Sequence, residues 1–262
     1  MYQPVLISSG LAGWQFLQRT YDQQLSVFSQ STELKRDTDH FAEKIVSVGT
    51  AEELVSDRQL LTVAMGAFGL SDDINNTFFI QKMLSDGTTA DDALANRFSD
   101  SRYRDFSEAF GFGPGEIRGA LKPGFVDDII AKFQANSFEV ETGNQDESMR
   151  IALYAERTLP DVVQGSGTDA AKWFSIMGQP PLRTLFETAL GLPQAFGQID
   201  IDQQLSVFQD RSERVLGVSD PADFADPETL DRLVTTYLAR SQLGQIGSGA
   251  SGASIALTIL SS

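Results

Sequence analysis

The sequence predicts an all-α protein, an internally duplicated multi-helix bundle of two related helical modules. Three observations carry this prediction. Apolar residues recur at three- and four-residue spacing along most of the chain. Helix-capping residues and glycine stops punctuate those runs. The one short stretch that could be read as a strand is 138–140.

The elements follow in order. Residues 1–40 form an N-terminal helical segment. In it Tyr21, Leu25 and Phe28 lie at helical spacing beyond Trp14 and Phe16. Thr50-Ala51-Glu52-Glu53 is a capping box, in which a hydroxyl and a carboxylate satisfy free N–H groups reciprocally. Leu54, Leu61, Ala64, Met65 and Phe68 continue one helix from it, and Gly69 stops that helix in the left-handed region. Ser71 is expected to cap the next helix, which carries Ile74, Phe78, Phe79, Met83 and Leu84 and ends at Gly87. Thr89 and Asp92 open a short helix with Leu94 and Phe98. Asp100 caps another, with Tyr103, Phe106 and Phe110 on one face and Gly111 behind it.

Residues 111–115 read GFGPG and form a loop. Pro123-Gly124 opens a helix with Phe125, Ile129, Ile130 and Phe133. Residues 144–146 cap a helix carrying Met149, Ala152, Leu153 and Ala155, which Pro160 is expected to end or kink. Pro180-Pro181 predicts extended backbone before a helix with Leu182, Leu185, Phe186, Ala189 and Leu190. Asp226-Pro227-Glu228 is an N-cap, a first-turn proline and a first-turn acid. Trp173-Phe174 before Met177 reads as core.

The duplication rests on two patterns. Residues 22–28 and 202–208 both read DQQLSVF. A second alignment runs in order through several landmarks. Phe41-Ala42-Glu43-Lys44 matches Tyr154-Ala155-Glu156-Arg157, and Ala67-Phe68-Gly69-Leu70 matches Ala189-Leu190-Gly191-Leu192. Leu84-Ser85 then matches Leu205-Ser206, and Phe98-Ser99-Asp100 matches Phe224-Ala225-Asp226. The expected modules are therefore 41–113 and 154–240, joined by a connecting helical segment, 114–153. Residues 241–262 are a Gly/Ser-rich linker and a short apolar tail.

Composition narrows the chemistry. A chain of 262 residues allows one large domain or two small ones at roughly 100–200 residues each. With no cysteine, thiol catalysis, cysteine-ligated zinc and iron–sulfur clusters are excluded. A net charge of −16 repels phosphate backbones and anionic lipid heads, so no nucleic acid is expected as a partner. The 41% apolar content with 18 Phe is too rich for a disordered chain. No apolar run reaches the roughly 18–20 residues of a membrane span, so no membrane insertion is expected. No cation precedes Arg19, which does not fit a cleavable secretory leader.

No residue constellation announces catalysis. The single histidine, His40, has no nucleophile motif beside it and reads as a helix-start residue. Glu52/Glu53, Asp72/Asp73, Asp91/Asp92 and Asp127/Asp128 sit mostly at helix starts, where they complement the dipole. The 72–76 stretch lacks a calcium-loop register. The GFGPG loop lacks the Lys-Ser/Thr of a phosphate cradle. No catalytic residue, metal ligand or cofactor is assigned, and the chain reads as a non-enzyme. The residues expected to meet a partner are Trp14, Phe16 and Tyr21 near the N-terminus and Ile255, Leu257, Ile259 and Leu260 in the tail. Removing 244–262 is expected to spare folding and weaken partner capture, as read by thermal unfolding and pull-down.

Several stretches resemble a known family. They are Gly13-Trp14 with residues 16–22 (FLQRTYD), 41–45 (FAEKI), 67–70 (AFGL) with 73–76 (DINN), and 93–97 (ALANR). Residues 108–113 (EAFGFG), 180–183 (PPLR), 187–193 (ETALGLP) and 202–205 (DQQL) complete them. Together they are similar to an uncharacterised alphaproteobacterial family with a domain of unknown function, whose members are labelled flagellar proteins and lie among flagellar genes. The likeness spans about residues 10–242 and carries over no functional residue. It implies a non-enzymatic flagellum-associated component or assembly factor, with flagellar proteins as partners and a possible homo-oligomer. The alternatives are a cytoplasmic chaperone or regulator of flagellar export and, ranked last, a carboxylate-dependent glycan hydrolase.

Overall fold

Among the described residues, side-chain caps and glycine stops divide the chain into twelve α-helices, and no strand occurs. The computed structural model describes residues 3–249; side chains are described within it except at Gln194 and 245–249. The helices are α1 (Gly10–Ser29), α2 (Thr32–Lys44), α3 (Ala51–Ser56), α4 (Arg58–Ala67), α5 (Thr77–Asp86) and α6 (Ser101–Phe110). They continue with α7 (Phe125–Gly143), α8 (Glu147–Gln164), α9 (Asp169–Gly178), α10 (Pro180–Leu190), α11 (Ile201–Leu216) and α12 (Pro227–Gly249).

Many of the expected caps are present. The Thr50 hydroxyl accepts from the Glu53 N–H at 3.2 Å, while the Glu53 carboxylate reaches back to the Gly49 N–H at 2.6 Å. Asp100, Asp146 and Asp226 each accept backbone N–H groups at the starts of α6, α8 and α12. Gly69 follows α4 with φ +68°, and the Leu70 N–H reaches back to the Met65 carbonyl, a Schellman closure. Gly111 and Gly191 end α6 and α10 in the left-handed region.

Five local readings are corrected. The helix expected from Thr50 to Gly69 is two helices, because extended Asp57 interrupts it and caps α4 through the Gln59 and Leu60 N–H groups. Ser71 starts only a 3-10 turn, Ser71–Asp73, and α5 begins at Thr77. Pro160 does not end α8, which continues to Gln164 with Leu159 and Val163 buried on either side of it. Pro180 and Pro181 lie inside the first turn of α10, where missing N–H groups cost nothing. The strand-like stretch 138–140 is helical, within α7, where Phe138 is fully buried.

The chain divides into two units. The first comprises residues 1–5 and 19–142, the second 6–18 and 143–262. Helix α1 contributes its first half to the second unit and its second half to the first. The expected connecting segment is shared out likewise, with α7 in the first unit up to Thr142 and α8 in the second.

In the first unit α2 packs on α4, and α3 packs on both α4 and α5. Its aromatic core is a chain of edge-on rings: Phe68 on Phe106, Phe106 beside Phe110, and Phe110 on Phe125. Phe28 and Tyr21 both stand edge-on to Phe138. Gln24, buried as well, exchanges hydrogen bonds with both backbone groups of Val5 and so pins the leading segment of the chain.

In the second unit α8, α10 and α12 pack mutually, and α9 and α11 close over them. Trp173 is the hub of its core, with Phe186, Phe208 and Phe224 edge-on around it at 5.7, 6.3 and 6.0 Å. Gln204 is buried here as Gln24 is in the first unit, holding the carbonyls of Gly197 and Ile199 and accepting from Arg183. The two DQQLSVF stretches have similar local surroundings. Each buries a glutamine that bonds the backbone of another segment and a phenylalanine in the core.

Candidate functional site

The N-terminal aromatic surface expected from the sequence is not one surface. Trp14 is 1% exposed, so its indole belongs to the core and cannot be offered to a partner. An amphipathic helix turns its apolar stripe inward, and Trp14 and Leu17 lie on that stripe of α1. Phe16 is half-buried, and Tyr21 is half-buried against Phe138. Ile255, Leu257, Ile259 and Leu260 lie outside the described residues.

The polar candidates resolve into structural devices. His40 Nε2 meets the Asp57 carboxylate at 2.8 Å. That carboxylate is already committed to capping α4. Burial raises its pKa, but the Leu60 N–H and then His40 outweigh burial and hold it below the usual value of 3.8. A shallow depression beside them, about 570 Å³, is lined by Gln30, Lys35, Arg36, Asp39, His40 and Glu43 among others. Lys35 is tied to Asp39, and Arg36 to Asp37. Of the acidic pairs, Glu53 closes the capping box and Asp128 pairs with Lys132 along α7. Among the described residues no group of three or more ligating side chains gathers as a metal site.

The glycine-rich loop does bind an anion, and the anion is internal. Glu116 accepts from the Thr88 N–H at 2.6 Å, the Thr88 hydroxyl at 2.9 Å and the Gly113 N–H at 3.1 Å, with the Thr89 hydroxyl at 3.3 Å. Burial alone would raise its pKa, but these donors together hold it below the ordinary value of 4.5. Gly87 and Gly113 approach so closely that a Cβ on Gly113 would lie 2.5 Å from the Gly87 Cα. The carboxylate thus staples the 87–89 turn to the 111–116 loop.

The surface that sequence reasoning missed lies on α5 and the segments after it. Phe78 is 81% exposed, projecting from α5. Beside it in the chain Phe79 stands edge-on to Phe98 at 5.3 Å and to Tyr103 at 5.8 Å, and Phe98 lies 5.1 Å from Tyr103. Phe98 is 38% exposed. The Tyr103 hydroxyl donates to Asp73 at 2.5 Å. Burial, and next this carboxylate, push the phenol well above its usual range. The available signal was the adjacent pair Phe78-Phe79: two neighbours on a helix point about 100° apart, so both cannot face one core.

The fold is that of an all-helical, two-unit protein with an exposed phenylalanine on α5. A family model described as a protein of unknown function, DUF1217, matches residues 67–230, well over half of the chain. The chain belongs to that family. Its structure is similar to the X-ray crystal structure of protein AGR_C_984 from Agrobacterium tumefaciens, with a TM-score of 0.76 and 23% identity. That likeness covers 93% of this chain and 98% of the other, and it speaks for the fold alone. No curated protein matches. No helix among the described residues is long and apolar enough to cross a membrane.

Proposed function

We propose that the protein is a non-enzymatic binding component or assembly factor of the bacterial flagellum that works through protein–protein contacts. The observation that supports binding is the exposure of Phe78 on α5. A phenylalanine left 81% in water costs hydrophobic free energy that packing elsewhere would recover. Aromatic side chains in such positions are the anchors around which interfaces form. The flagellar assignment draws on the stretches cited above, such as 67–70 (AFGL) and 187–193 (ETALGLP).

We also infer that the two units descend from one duplicated module. The order of elements supports this reading. Helices α2, α3 and α4, a turn, α5, a second turn and α6 are matched by α8, α9 and α10, a turn, α11, a second turn and α12. The packing repeats as well: α2 lies on α4 as α8 lies on α10, and α3 on α4 as α9 on α10. Asp100 and Asp226 cap the last helix of each series, two residues beyond Phe98 and Phe224.

The test is fractionation. The protein is quantified in cytosol and in purified hook–basal bodies, from cells with and without a working flagellar export apparatus. Export-dependent recovery in the purified structure is the expected result for a component. Recovery only in cytosol, unchanged by the export defect, overturns that reading in favour of a chaperone or regulator.

A further inference from the structure

We draw no further inference here: the strongest candidate, the shallow depression along α2 beside His40, carries nothing because its basic side chains are already paired, Lys35 with Asp39, Arg36 with Asp37 and His40 with Asp57, which leaves no group to select a ligand.

Discussion

Replacing Trp173 by alanine is expected to destabilise the protein by about 3–5 kcal/mol, the range for deleting a fully buried large aromatic side chain. Trp173 is 0% exposed, and three phenylalanine rings stand edge-on around it. Removing the indole leaves a cavity with apolar walls from α10, α11 and the turn Pro221–Ala225, and each wall loses contacts that water cannot replace. Trp173→Phe is expected to cost less than half as much. It keeps a ring against Phe186 and Phe224. It also removes a buried indole N–H that has no acceptor among the described residues, an arrangement that itself costs about 1–3 kcal/mol. Urea unfolding followed by far-UV circular dichroism measures both variants. An alanine variant that loses less than about 1.5 kcal/mol would contradict the placement of Trp173 at the hub of this core.

Glu116→Ala is expected to cost about 1–2 kcal/mol at pH 7, because it strands part-buried N–H and O–H donors that now share one charged acceptor. Glu116→Gln keeps the shape and loses the charge. It should cost about 0.5–1 kcal/mol, less than the alanine variant, since an acceptor oxygen remains but hydrogen bonds to charged groups are the stronger kind. The pH dependence is a sharper check than the magnitude. The folded pKa of Glu116 is depressed, so its contribution is fully present above its ordinary value of 4.5 and is lost as pH falls through the lower, folded value. The stability gap between parent and Glu116→Gln should therefore be constant from pH 8 to 5 and close on further acidification.

Two carboxyls of the parent act in the opposite sense. Burial first, then Glu108, pushes Asp105 up to about 6, and burial with Asp231 raises Glu156 against the pull of Gln18. Raised carboxyls penalise the folded state at neutral pH, and the penalty is relieved as pH falls through the folded value. Asp105 is exposed as a residue, so solvent screens it and only the direction enters. With net charge also shrinking toward the sequence pI near 4.4, the parent's melting temperature should peak between about pH 4.5 and 6. A maximum above pH 7 would contradict these assignments.

Class and punctuation were legible in the residues because their causes are local. Helical spacing of apolar side chains, the Thr50 box and the Asp100, Asp146 and Asp226 caps depend on a few consecutive residues, as do Gly69, Gly111 and Gly191 at helix ends. Local rules also explain the misreadings. Asp57 breaks a helix because its side chain competes for the Gln59 and Leu60 N–H groups and finds His40, a partner 17 residues earlier. Pro160 stays inside α8 because burial of the residues around it outweighs one lost hydrogen bond.

Tertiary structure alone decided which apolar residues were hidden and which were offered. Trp14, expected on a surface, is core, while Phe78, expected in a helix's inner face, stands in water. Periodicity says that a helix has an apolar face, but it cannot say which of two adjacent phenylalanines the neighbouring helices will cover. Nor could it show that Glu116 reaches Thr88 and Gly113 together, since that meeting requires the Gly87 and Gly113 backbones to touch. The sequence by itself determined the helices and their ends, because propensity and capping act over a turn or two. The cores, the staple and the exposure of Phe78 were decided only when distant segments came together, because burial is a property of neighbours in space.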